Sequence, residues 1–170
     1  MSNKFVMGEN VEIQIIKQEQ LYDAMLFQKR IIDSMLNKEW FIPLTGDDFL
    51  NAINGNGNVY FLLNENEIIG LFVLVCDISN KLEEYKLPNN NYMLIDSIMV
   101  KDNYRGYGLQ RQMLKFAYER AKELKISCLI ATVHPNNIYS LNNYVAEKYE
   151  LLHTLTIYGV IRNVMIKNII

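Results

Sequence analysis

The sequence predicts an α/β (α+β) fold, a mixed central sheet of about seven strands flanked by about four helices, in one domain over residues 1–170. Three observations point there. Apolar runs of strand length alternate with segments whose apolar residues recur every three to four positions. Two such runs are split by only the polar turn Asn64-Glu65-Asn66-Glu67, which reads as a β-hairpin. A third run reaches Val100, turns through a few polar and aromatic residues, and enters a helix at Arg105-Gly106-Tyr107-Gly108.

In order along the chain, residues 11–16 alternate and then run apolar, as a first strand would. Leu21, Ala24, Met25, Ile31, Ile32, Met35 and Leu36 recur near helical spacing, so residues 19–36 read as an amphipathic helix. Trp40 and Phe41 fall in the next turn, which Pro43 stiffens. Thr45 or Asp47 can cap a short second helix through Ile53, ended by Asn54-Gly55. Runs 59–63 and 68–78 form the hairpin. Residues 78–92 are polar and aperiodic, and a loop of that length is either a solvated insertion or functional. After the glycine turn, Leu109, Met113, Phe116, Ala117, Ala121 and Leu124 make an apolar stripe, with Arg111, Lys115, Glu119, Lys122 and Glu123 opposite. Residues 126–133 read as a buried strand. His134-Pro135-Asn136-Asn137 then turns into a helix capped by an Asn, and two last strands, 150–158 and 160–169, meet at Tyr158-Gly159.

Composition excludes several classes. Half of the 170 residues are hydrophobic, 21% are charged, and the formal charge is -2, so no basic excess exists to displace counterions from nucleic acid. No apolar run approaches the ~18 residues of a membrane span, and the first ten residues lack the apolar core of a signal peptide, so the cytoplasm is expected. Cys76 and Cys128 lie in apolar runs and read as reduced core thiols. His134 and His153 lack ligand spacing with each other or with a Cys, so no metal is expected.

A strand, a glycine turn and a helix start present several free N–H groups to an anion. The glycines allow close approach, and the helix dipole adds roughly half a positive charge there. The stretch therefore reads as a pyrophosphate cradle. A dinucleotide fingerprint would need a glycine where Arg111 stands, and a P-loop would need Gly-Lys-Ser/Thr.

These residues resemble the coenzyme-binding core of the GCN5-related N-acetyltransferases (GNAT), which carries Arg/Gln-x-x-Gly-x-Gly/Ala after its fourth strand. Arg105, Gly108 and Leu109 match in place, Gly106 fits the usual Arg-Gly-x-Gly form, and Gln110 replaces the small last residue. Residues 131–144 resemble the family's fifth strand and fourth helix, with Asn137, Ser140 and Tyr144 at the matching positions. On a helix those three share one face. The resemblance covers nearly the whole chain and implies a sheet splayed between its fourth and fifth strands. It implies acetyl-CoA as cosubstrate, no metal, and an amine of a small molecule or protein as acceptor. Its pyrophosphate would rest on the amides of Arg105, Gly106, Tyr107, Gly108, Leu109 and Gln110. Its pantetheine would meet Asn137, Ser140 and the strand section Ile98-Met99-Val100, whose N–H groups near Ile98 and Val100 would also face the oxyanion.

Tyr144 would protonate the departing thiolate, which suits a phenol of pKa ~10 beside a thiol of pKa ~8.5. Asp96 is the candidate base for the amine, because Asp is disfavoured in strands and apolar neighbours raise its pKa. It has a plainer reading as a carboxylate bonded to a nearby hydroxyl or N–H. Glu83 and Glu84 are weaker candidates from the loop. Two positions depart from the pattern: Gln110, bulky where the cradle is tight, and Lys148 before Tyr149, where the family usually has Gly. A left-handed Lys148 would cost roughly 1 kcal/mol. Trp40, Phe41, the 78–92 loop and the Tyr158–Arg162 turn are expected on the acceptor side. The apolar final strand could pair across a homodimer. The alternative function is an acyl-CoA-binding sensor with little catalysis.

Overall fold

A computed structural model describes residues 11–169. Its strands are β1 (Val11–Ile15), β2 (Gly57–Asn64), β3 (Glu67–Val75), β4 (Tyr92–Val100), β5 (Cys128–Val133), β6 (Glu150–Ile157) and β7 (Val160–Asn168). The helices are α1 (Leu21–Ser34), α2 (Gly46–Asn51), α3 (Leu109–Glu123) and α4 (Ile138–Ala146). The strands form a seven-stranded sheet in the order β1-β2-β3-β4-β5-β7-β6, antiparallel except for the parallel β4–β5 pair. This is the mixed seven-stranded sheet with four α-helices that the resemblance implies.

The near-continuous apolar runs are explained by two cores, one on each face of the sheet. One face packs Ala24, Phe27 and Ile31 of α1 and Phe49 of α2 on Phe61, Leu71, Val73 and Leu94. The other packs Leu109, Met113, Ala117 and Ala121 of α3 and Tyr144 of α4 on Leu62, Phe72, Met93 and Leu129. Each strand in the middle thus buries alternate residues in alternate cores, with about 1.5–3 kcal/mol at stake in each large side chain.

Local chemistry sets the ends. Thr45, not Asp47, caps α2: its Oγ1 accepts from Asp48 N–H (3.1 Å) and Asp48 Oδ2 accepts from Thr45 N–H (2.7 Å). α1 stops at Ser34, so Leu36 lies beyond it, 98% exposed, rather than on its apolar stripe. Lys148 is left-handed (φ 69°). Tyr149 N–H bonds Tyr144 C=O and Lys148 N–H bonds Val145 C=O, both at 3.0 Å, a Schellman ending for α4. α3 ends the same way at Lys125 (φ 56°), with Ile126 N–H on Ala121 C=O at 2.9 Å.

One expectation fails here. β7 lies between β5 and β6, and both its edges are hydrogen-bonded, so the final strand has no free edge to pair across a dimer. The outer strand on that side is β6.

Candidate functional site at the splay between β4 and β5

β4 and β5 pair only from Tyr92–Cys128 to Ile95–Ala131. Past that point β4 continues to Val100 along β3, and β5 continues to Val133 along β7. The strands separate because β4 carries an extra residue. Val73 faces Ser97 and Leu74 faces Ile95, which leaves Asp96 as a bulge, and bulges bend and twist the strand that holds them. Core membership shows the same thing. Leu94 and Met99 belong to the α1–α2 core, while Ile95 and Ile98 pack with the α3–α4 core. The two residues between, Asp96 and Ser97, therefore both turn to the α1–α2 face.

A cavity of about 420 Å³ opens there, lined by Asp96, Ser97, Asn137, Ser140, Tyr144 and Arg162 among others. Trp40, Phe41, Lys81, Tyr85 and Tyr158 also line it, so each segment expected on the acceptor side contributes. Glu83 and Glu84 do not: both are exposed on the outer side of the 78–92 loop, which is anchored instead by buried Ile78, Tyr85 and Leu87. The weaker candidates for a base are thereby excluded from the cavity.

The glycine turn lies at the head of α3. Gly106 (φ 83°) and Gly108 (φ 79°) are both left-handed, and a Cβ on either would meet nothing within 4 Å. Gly108 is the N-cap, and the first helical bond runs from Gln112 N–H to Gly108 C=O (3.1 Å), so the amides just before it have no acceptor within the helix. Arg105 braces the turn rather than reaching from it: its Nε donates to Val100 C=O (3.1 Å) and its Nη2 pairs with Asp102 Oδ1 (2.9 Å). Gln110 does not point outward. Its Nε2 donates to Ser140 Oγ (2.8 Å) and its Oε1 accepts from Asn143 Nδ2 (3.0 Å), tying α3 to α4. Asn137 caps α4, its Oδ1 accepting from Ser140 N–H (3.2 Å). Leu109, Met99 and Tyr144 are buried, so Leu109 and Met99 offer the splay only their main chains.

Burial acts on both titratable candidates in the same direction. Burial pushes the Asp96 carboxyl above the usual aspartate range, with Lys81 opposing and Asp48 adding to the shift. Burial likewise pushes the Tyr144 phenol well above its ordinary value, opposed by Arg162. Tyr144 packs edge-on against Tyr149 (centroids 5.0 Å apart), and no described residue hydrogen-bonds its hydroxyl. Ser97 Oγ is buried with no partner among the described residues.

Three contributors escaped the sequence reading. Gln28, buried in α1, holds the Trp40–Thr45 wall by two bonds to the Leu44 main chain (2.8 and 3.0 Å). A polar residue within the apolar stripe was its only signal. Ser97 and Thr132 carry none. Among the described residues no group of three or more His, Cys, Asp and Glu could hold a metal ion. No described helix is long and apolar enough to cross a membrane.

A model of the acetyltransferase (GNAT) family matches residues 20–147. No curated protein matches the chain significantly. Among solved structures, the NatC complex bound to Gag peptide and CoA aligns with a TM-score of 0.74 at 14% identity, over 95% of this chain and 100% of the other. An N-acetyltransferase from Staphylococcus aureus Mu50 gives 0.73 at 17% identity over 95% and 100%. NAA60 of Arabidopsis thaliana with a bisubstrate analogue gives 0.76 at 14% identity over 94% and 99%. At such identities the structures testify to the fold.

Proposed function

This chain belongs to the acetyltransferase (GNAT) family, and we propose that it moves an acetyl group from acetyl-CoA to a primary amine by direct attack, with both substrates bound at once. The observation that carries the reading is the splay past Ile95 and Ala131, with a glycine turn at one end and a cavity holding Asp96 and Tyr144 at the other. CoA or a bisubstrate analogue in the related structures supports it.

The residues fit such a cosubstrate. The open space over Gly106 and Gly108, and the amides from Arg105 to Gln110, suit a pyrophosphate. Asn137, Ser140 and the main chain of Ile98, Met99 and Val100 suit the arm that follows. When bound, acetyl-CoA supplies a thioester, an acyl donor with a thiol leaving group. Transfer makes an N–C bond and breaks a C–S bond, so a proton must leave the amine nitrogen and one must reach the departing sulfur. Asp96, its affinity for protons raised by burial, receives the first. Tyr144, kept protonated by burial, donates the second from its hydroxyl. Main-chain N–H groups near Ile98 and Val100 face the oxygen that gains charge. No acyl-enzyme is needed.

Calorimetry with acetyl-CoA tests the first half, and absence of binding at millimolar ligand would end the reading. Thiol release over an amine panel tests the second. The Gln110 bridge to Ser140 and Asn143, at a position that is small in the family, favours one other reading, a CoA-binding sensor. Acetyl-CoA binding with no thiol release from any amine would support that instead.

A further inference from the structure

The cavity contains a buried cation for which the described residues supply no counter-ion. Arg162 is 7% exposed. Its Nη1 donates to Trp40 C=O (2.8 Å), its Nη2 to Thr132 C=O (2.8 Å), and its Nε more loosely to Thr132 Oγ1 (3.4 Å). Those three bonds fix the guanidinium between the α1–α2 connection and the splayed end of β5. None of the three acceptors is a carboxylate, and no described carboxylate lies within ion-pair distance of Arg162, whereas Arg105, Arg111 and Arg120 each have one. A desolvated charge without an opposite charge is costly, and proteins seldom keep one without a use. Of the five N–H donors of a guanidinium, two remain.

The other groups facing the cavity sharpen the picture. Lys81 is a second cation on its wall, and Asp48 and Asp96 are its two acids. Asp96 interacts with Lys81 and Asp48, while the ionisable groups acting on Arg162 are the hydroxyls of Tyr144 and Tyr85. Asp48 and Asp96, with Lys81 acting on Asp96, thus make one end of the cavity, Arg162 with no opposite charge makes the other, and Tyr85 acts on both Asp96 and Arg162. The unpartnered Ser97 Oγ, 6% exposed, lies beside Asp96 at the acidic end. A diamine or a lysine side chain would bring a cation to a place that already holds one. A molecule with one charge of each sign would satisfy both ends.

We propose that the acceptor is a small zwitterion, a primary amine and a carboxylate on one short skeleton, with the carboxylate received by Arg162 and the amine lying towards Asp96. This rests on the acetyl-transfer reading above. A carboxylate accepts N–H bonds from a guanidinium, and one N–H is left for it on each terminal nitrogen of Arg162. The Trp40 wall held by the same guanidinium bounds the cavity at a volume suited to a metabolite. Arg162 is then a specificity-determining residue.

The test is thiol release by the full chain at saturating acetyl-CoA, using α-, β- and γ-amino acids of two to five carbons, their carboxamides, and the corresponding amines without a carboxyl group. The expected result is a kcat/KM for at least one amino acid about 10- to 100-fold above that of its carboxamide, expressed mainly in KM, as for loss of hydrogen bonds to a charge. In Arg162→Gln the preference should fall to within a few fold, with the Kd for acetyl-CoA measured by calorimetry unchanged. The wild-type series stands alone should that variant fold poorly. Carboxamides accepted as readily as the free amino acids would overturn the zwitterion while leaving acetyl transfer intact. Acetyl-CoA binding with no thiol released from any amine would overturn both.

Discussion

Gly108→Ala isolates the cradle from the fold, because the structure separates the two effects of the added methyl group. Gly108 is left-handed at φ 79°, and its added Cβ would touch no atom within 4 Å. The cost to the free protein is therefore backbone strain alone, about 1–2 kcal/mol. For a chain of this length that lowers Tm by roughly 2–8 °C. The ligand meets a different obstacle, since the methyl group occupies the space through which a phosphate approaches the amides of the turn. Loss of one amide bond to a charged oxygen corresponds to about a 10- to 100-fold rise in Kd. Gly159→Ala is the control: φ is 75°, the surroundings are equally open, and the residue lies in the β6–β7 turn. Differential scanning calorimetry should show similar losses for both variants. Titration calorimetry should show weakened acetyl-CoA binding for Gly108→Ala only. An unchanged Kd in Gly108→Ala, beside the expected fall in Tm, would refute the cradle.

Tyr144→Phe should lower kcat about 100-fold, within the usual range for a general acid, and leave the Kd for acetyl-CoA unchanged. Because no described residue hydrogen-bonds that hydroxyl, Tm should hold or rise, and equal turnover would remove Tyr144 from the chemistry. Asp96→Asn should abolish most turnover yet stabilise the protein near pH 7. The sign follows from burial: the folded carboxyl binds its proton more tightly than the unfolded one, whose ordinary value is 3.8. Stability is thus lost as pH rises from about that value through the raised folded one, so the gain from Asn should vanish in acid. Denaturant midpoints at pH 4 and pH 7 check this, and a gain that grows towards acid would contradict it. Lys148→Gly relieves a left-handed residue at the end of α4 and should raise stability by about 1 kcal/mol in urea, with turnover unaffected.

Much of the fold was legible because each element carries its own signal. The stripes of α1 and α3, the Asn64–Glu67 turn and the Tyr158-Gly159 turn are all local patterns, and the structure realises them except at Met25, Leu36 and Leu124, which are exposed. What was not legible is the part that depends on distant partners. β7 follows β6 in sequence yet inserts between β6 and β5, because residues 163–168 pair with 128–133. No local pattern records that choice, so the last strand read as an edge. Loop charges misled for the same reason: Glu83 and Glu84 share a segment with Lys81 and Tyr85, but only the latter pair turns to the cavity. Asn137, Ser140 and Tyr144 were readable together because helical spacing alone puts them on one face. The buried state of Arg162 was not, since a basic residue in an alternating strand ordinarily looks outward.

The bulge at Asp96 explains why so little of the site shows in the pattern of its strand. A strand buried on both faces reads as a continuous apolar run, so an inserted residue breaks no visible alternation. Yet without it the side chains from Ile98 to Val100 would each move to the opposite core, because one step of register exchanges the two faces. The apolar residues on either side of Asp96 therefore hold the insertion in place: Leu94 and Met99 fit one core, and Ile95 and Ile98 the other, only if an extra residue lies between them. The same step turns two polar side chains to one face and draws β4 away from β5. Packing on both faces, rather than any bond to Asp96 itself, is what keeps a desolvated carboxyl at the mouth of the splay.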